Sequence, residues 1–178
     1  MKPAITIRRA TLDDAAEIAE VHVASWRTTY PGIVDQSYID GLSVPEPATA
    51  WTRRLSVDDQ AAPDVLVAVA ADQRIVGFVS GGLIREPFPD FDAEVHAIYL
   101  LESIQQAGVG RRLMREWAVL AMRRGLHAAV VRVLAENPAC AFYEKVGGQL
   151  LCEGQLLIGG NLYPERWYGW RNLLDLVG

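Results

Sequence analysis

The chain has 178 residues, 51% of them apolar and 22% charged, proportions that exclude default disorder and suit a single domain over residues 1–178 with a full core of its own. Its two cysteines, Cys140 and Cys152, form neither a CxxC pair nor a disulfide framework. A net charge of −5 argues against a general nucleic-acid binder; no apolar run is long enough to cross a bilayer and Met1–Thr11 holds no signal-peptide core, so a cytoplasmic protein with neither nucleic acid nor membrane as partner is expected.

Ile5 to Arg9 alternates and reads as a first strand. Thr11 with Asp14 resembles a capping box, with Asp in place of the usual Glu or Gln. The helix it opens carries Ala15, Ile18, Ala19, Val21 and Trp26 at helical spacing until Pro31-Gly32 breaks the chain. His22, Ser25, Trp26 and Tyr30 share one face of it. Pro45 to about Asp59 reads as a second helix, with Trp51 and Leu55 on one side. Val65–Ala71 and Ile75–Gly82 read as a hairpin turned at Asp72-Gln73, and Pro87, Pro89, Asp90 and Asp92 mark an exposed loop. In the strand Glu94–Leu101, alternation places Glu94 and His96 on one face.

The clearest helix is Val109–Arg124, with Val109, Leu113, Trp117 and Leu120 on one stripe and Gly125 placed to end it. Ala128–Leu134 reads as a buried strand and Pro138–Val146 as a short helix. Gln149–Ile158 and Leu162–Trp170 are two last strands joined around Gly159-Gly160. The order β-α-α-β-β-β-α-β-α-β-β implies an α+β or mixed α/β fold.

The most informative stretch, Gln105-Gln106-Ala107-Gly108-Val109-Gly110-Arg111-Arg112, follows a strand and opens the Val109 helix. The first N–H groups of a helix have no internal partners and lie at the positive end of its dipole, and glycines let the backbone approach an anion closely. Five arginines against one acid, Glu116, between Ser103 and Gly125 agree with anion capture. There is no GxxxxGK[ST] P-loop and no GxGxxG after the first strand. The three histidines, His22, His96 and His127, form neither HxxxH nor HExxH, so no metal is expected.

Gln105-x-x-Gly108-x-Gly110 resembles the coenzyme A-binding motif of the GNAT acetyltransferases. Asn137-Pro-Ala-Cys-Ala-Phe-Tyr143-Glu-Lys-Val-Gly-Gly148 is similar to that family's "N…A…FYEKLG" segment. Ile7-Arg8-Arg9-Ala10-Thr11-x-x-Asp14 resembles its opening, and Val76-Gly77-Phe78 its hairpin strand. The likeness runs through nearly the whole chain. It implies a mostly antiparallel mixed sheet of about seven strands, splayed between the fourth and fifth and flanked by about four helices. It also implies acetyl transfer from acetyl-coenzyme A to a primary amine by direct attack. Three positions depart from the pattern: Gln105-Gln106 where many members have Arg-Gly or Gln-Gly, Glu102 in place of a proline, and Gly147-Gly148 where "GF" is common.

By this resemblance the pyrophosphate lies on Gln105, Gln106, Ala107, Gly108, Val109, Gly110, Arg111 and Arg112. Backbone groups at Ile98 and Leu100 pair with the pantetheine arm, and Asn137 and Tyr143 complete the cofactor side. Tyr143 matches the tyrosine that protonates the departing sulfur. Glu94, His96 or ordered water serves as base. His22, Trp26, Tyr30, Glu94, Tyr163 and Glu165 are expected around the acceptor, a small-molecule or peptide amine, with Trp167 and Tyr168 on the same closing strand. Cys140 reads as a packing residue. Homodimerisation through the last strands is compatible with the family. The alternative to an enzyme is a coenzyme A sensor or an interaction protein of the same fold.

Overall fold

A computed structural model describes residues 4–57, 59 and 62–178. Strand β1 (Thr6–Arg9) leads into the expected capping box. The Thr11 N–H donates to Asp14 Oδ2 at 2.7 Å, and Arg8 holds the same carboxylate through two bonds of 2.7 and 2.9 Å. The box opens a 3-10 turn, Leu12–Asp14, that runs directly into helix α1 (Ala15–Thr29). A five-residue helix, α2 (Gln36–Asp40), follows, capped by the Asp35 carboxylate accepting from the Ser37 N–H at 2.9 Å. Helix α3 (Pro45–Leu55) begins on a proline, whose missing N–H costs nothing in a first turn. It stops at Leu55, short of the expected end near Asp59: Ser56 is its C-cap and Val57 is not helical, while Asp58 lies outside the described residues.

Strands β2 (Asp64–Val69), β3 (Ile75–Phe88), β4 (Phe91–Leu100), β5 (Ala129–Leu134), β6 (Gln149–Ile158) and β7 (Asn161–Trp170) complete one sheet of order β1-β2-β3-β4-β5-β7-β6. Every neighbouring pair is antiparallel except β4 with β5. Helix α4 (Val109–Arg123) covers one face and α1 with α3 the other. Helices α5 (Ala139–Lys145) and α6 (Leu174–Val177) follow β5 and β7. Six helices are thus present among the described residues, against about four expected. The added ones, α2 and α6, are too short to show a periodic stripe. No helix among the described residues is long and apolar enough to cross a membrane.

The exposed loop expected at Pro87–Asp92 is instead the tip of a long hairpin. β3 continues to Phe88 and β4 starts at Phe91, with Asp90 at φ 68° in the turn. The aromatic contacts explain this. Phe88 packs edge-on to Phe91 at 5.7 Å and stacks on Trp167 at 5.4 Å, and these contacts outweigh the loop signal of the prolines.

Two irregularities of β4 shape the centre of the molecule. Ser80 faces Ala97 but Gly81 faces Val95, so His96 is an extra residue, a β-bulge. Ala93, Val95, Ile98 and Leu100 therefore pack with the α4 core, while Ala97 and Tyr99 join the α1/α3 side, where Glu94 also points. In addition, β4 pairs with β5 only over Ala93–Val95 against Ala129–Val131. Beyond Val95 the two strands part, and Arg132, Val133 and Leu134 pair only with β7. This is the expected splay.

Candidate active site

The turn from Gln105 to Gly110 sits at the mouth of this splay, at the start of α4. Gln106 and Gly108 both have positive φ, 60° and 84°, and Gly108 is the N-cap with no side chain capping the helix. The first-turn N–H groups of α4 consequently point outward without an intrahelical acceptor. Gly110 is needed for space: a Cβ there would lie 3.2 Å from Leu100 Cδ1 and 3.3 Å from the Phe142 ring. The two adjacent arginines diverge. Arg112 places both terminal nitrogens 3.1 Å from the Ile5 carbonyl and ties β1 to α4. Arg111 is exposed and has no hydrogen-bond or ion-pair partner among the described residues.

Since the Leu101 N–H donates across to Val76 on β3, alternation turns the backbone groups of Leu100 and Ile98 toward the open edge of β4. The Leu100 carbonyl there accepts from Gln105 Nε2 at 3.1 Å and Ser25 Oγ at 3.4 Å. An uncapped helix end beside an unpaired strand edge is a cradle for a ligand carrying both phosphates and amides.

On the opposite face Glu94 is 2% exposed. Arg85 engages both its oxygens: the backbone N–H and Nε donate to Oε2, each at 3.1 Å, and Nη2 forms a short bond to Oε1. Burial disfavours the charge, but these bonds outweigh it and hold the carboxyl below its ordinary range. His96 lies close enough to sense both charges. Its Nε2 is 3.2 Å from the Leu83 carbonyl. A carbonyl only accepts, so the neutral ring carries its proton on Nε2 and leaves the Nδ1 lone pair unused. Burial, then the Arg85 charge, lowers its pKa below 6.5.

Where the strands part, Tyr30 and Tyr99 share one cluster. Trp26 Nε1 donates to the Tyr99 hydroxyl at 3.1 Å, and Asn137 Nδ2 donates to the Tyr30 hydroxyl at 3.1 Å. Asn137 Oδ1 accepts from the Ala139 N–H at 2.8 Å, capping α5. Tyr143, on that helix, is 5% exposed, and burial raises its pKa, with Tyr30 and Cys140 adding to the shift. The Tyr143 hydroxyl has no hydrogen bond among the described residues. His22 stacks on Tyr99 at 5.0 Å, and its Nδ1 is buried without a partner. Cys140 is buried, its thiol 3.5 Å from the Leu134 carbonyl, and burial raises its pKa.

On β7, Tyr163, Glu165 and Trp167 share the α1/α3 face, whereas Tyr168 turns to the α4 core. The Tyr163 hydroxyl accepts from the Asp35 N–H at 3.0 Å. Glu165, 3% exposed, accepts from Arg132 at 2.9 and 3.3 Å and from Trp167 Nε1 at 3.0 Å. Both buried carboxylates of this floor, Glu94 and Glu165, are thus paired with arginines. Tyr99 and Arg85 are site residues that sequence reasoning missed. The bulge that brings Tyr99 to this face is a mismatch with β3, and nothing local to Arg85 marks its partner.

The family model described as "Acetyltransferase (GNAT) family" matches residues 23–148. The chain is 35% identical over 172 residues to YuaI of Bacillus subtilis, an N-acetyltransferase by name, covering 97% of this chain and 96% of the relative. It is 26% identical to a spermidine N(1)-acetyltransferase of Thermoplasma acidophilum, over 80% of this chain and 87% of that one. Its fold is similar to the crystal structure of the PaiA N-acetyltransferase of Thermoplasma acidophilum in complex with coenzyme A. There the TM-score is 0.71 at 22% identity, over 91% of this chain and 98% of that one.

Proposed function

The chain belongs to the GNAT family of acetyltransferases, and from that premise we propose that it transfers an acetyl group from acetyl-coenzyme A to a primary amine, the amine attacking the bound thioester directly. The observation that carries this reading is the parting of β4 from β5 beside the uncapped start of α4. The turn amides and Arg111 suit the pyrophosphate, and the Ile98 and Leu100 backbone suits the amide-bearing arm.

The reaction needs a base for the ammonium and an acid for the leaving thiolate. His96 suits the first role, being neutral at pH 7 with a free lone pair on Nδ1. Glu94 is a weaker candidate, because its low pKa and the Arg85 bonds leave it little proton affinity. Its part is to fix Arg85 beside His96. Tyr143 suits the second role, since its hydroxyl proton is not engaged elsewhere. The acceptor side is lined by Trp26 and Tyr99 over a floor of paired charges. A relative is named for spermidine, so polyamines are the first amines to assay.

Released thiol, measured with acetyl-coenzyme A and a panel of amines including spermidine, tests the proposal. Turnover is expected, with Tyr143→Phe and His96→Gln each lowering kcat by roughly 100-fold. Saturable binding of coenzyme A with no turnover of any amine would favour a sensor instead.

A further inference from the structure

The sequence sets five arginines after the Gly-rich turn, but only Arg111 and Arg112 fall in the first turn of α4. The rest lie further down the helix, along β1, the end strand of the sheet. Ile5 and Ile7 pack with the α4 core, and contacts at both ends fix how strand and helix lie. Arg112 reaches the Ile5 carbonyl just before β1, and Arg9, at the end of β1, shares the Asp64 carboxylate with Arg124 at 3.1 and 2.8 Å. At 1.5 Å per residue, Arg112 and Arg124 stand about 18 Å apart along the helix. Between these ties the seam opens into a groove of about 290 Å³, walled by Arg8 and Arg9 on one side and by Arg115 and Arg123 on the other. Its floor is apolar, made by Leu66, Val119 and Leu120. β1 is three strands away from β4, on the order of 14 Å from the splay.

Four arginines thus meet one acid, Glu116, in a chain whose net charge is −5. Arg8 is paired with Asp14 and Arg9 with Asp64. Arg115 and Arg123 are exposed, with no hydrogen-bond or ion-pair partner among the described residues. These two set the size of an occupant. They are about 12 Å apart along α4, too far for one phosphate to bridge, and the residue midway between them is Val119. An extended chain advances about 3.3 Å per residue, so carboxylates four positions apart span about 13 Å. The residue halfway between them points to the same side, over Val119. Among the described residues no aromatic ring lines the groove for a nucleic-acid base to stack on, and a phosphate chain would gain nothing from an apolar floor.

We propose that the groove between β1 and α4 is a docking site for an extended acidic segment of a partner protein, with acidic residues four positions apart and an apolar residue between them. The Arg115 and Arg123 guanidiniums take the two carboxylates, a geometry their forked donors match. Val119 and Leu120 take the apolar side chain. A partner held here stays outside the cleft between β4 and β5, so the site does not depend on which amine is acetylated.

Fluorescence anisotropy of a labelled peptide repeating Glu, Ser, Leu and Ser over about nine residues, titrated with the full chain, tests this. Saturable binding is expected, weakening as salt rises from about 0.05 to about 0.3 M. Replacing Arg115 and Arg123 together by alanine should weaken it roughly 3- to 30-fold, with coenzyme A binding kept within about twofold. The melting temperature should not move, because neither side chain has a partner to lose. A peptide with Ser in place of Leu should bind more weakly than the first. No saturable binding, equal binding by the double variant, or equal binding of the peptide without Leu would overturn the proposal. Tighter binding of tripolyphosphate or of a short single-stranded DNA in competition would also overturn it, in favour of a phosphate or nucleic-acid site. A matching loss of coenzyme A affinity in the double variant would assign both arginines to the cofactor and refute a separate site.

Discussion

Replacing His22 by phenylalanine should flatten the acid side of the stability curve. The ring sits among aromatic neighbours, stacked on Tyr99 at 5.0 Å with Phe78, Trp51 and Trp26 at 6.0, 6.3 and 6.4 Å, and its Nδ1 is buried without a partner. Burial, with help from the Arg54 charge, lowers its pKa from 6.5 to about 4. The native state therefore binds the proton less well than the unfolded chain does. The stability owed to neutral His22 is fully present above about pH 6.5 and is lost as pH falls through about 4. At about 1.4 kcal/mol per unit, that difference amounts to roughly 3 kcal/mol. Phenylalanine fits an aromatic surround and leaves no buried orphan atom, so His22→Phe should be within about 1 kcal/mol of wild type at pH 7. Urea unfolding of both proteins from pH 7 to pH 4 measures the difference, and subtraction removes the groups they share. The variant should gain about 3 kcal/mol on wild type over that range. A difference that stays constant, or a His22 resonance titrating near its ordinary value, would show that the ring is not desolvated as described.

Removing the Arg85 side chain by Arg85→Ala leaves Glu94 with one backbone bond, which alanine also supplies. Because Arg85 is 58% exposed and water covers part of the loss, a cost of about 1–3 kcal/mol at neutral pH is expected. The Glu94 pKa is depressed in the native state, so this stability is present above its ordinary 4.5 and is lost as pH falls through the lower native value. A cost in denaturant unfolding that is the same at pH 7 and pH 3.5 would contradict the pairing. Gly108→Ala forces a left-handed φ of 84° on alanine with open space around it, and should cost about 1 kcal/mol and weaken coenzyme A binding in a calorimetric titration; an unchanged melting point and Kd would count against both roles of the turn.

How much of this site was readable in the sequence depends on how far each signal extends. The turn at Gly108 and the stripe of α4 are local: a glycine with positive φ and apolar residues at helical spacing carry their meaning within a few positions. The sides of β4 are not local. Period-two reading places Glu94, His96, Ile98 and Leu100 together and Tyr99 opposite them. The bulge at His96 shifts the register by one, so Tyr99 joins Glu94, and Ile98 and Leu100 face α4. Nothing within β4 announces the bulge, because it is a mismatch with β3. Arg85 lies past Gly82, where the sequence ends its strand, and the Phe88–Phe91–Trp167 packing extends the hairpin and carries it to Glu94. Family likeness placed Asn137 and Tyr143 at the cleft by motif. Yet the bond that gives Asn137 its second task reaches Tyr30 across 107 positions, and the one fixing Tyr99 reaches Trp26 across 73. A motif marks which residues meet the substrate. Which proton each of them has free is decided by partners that only the folded sheet brings near.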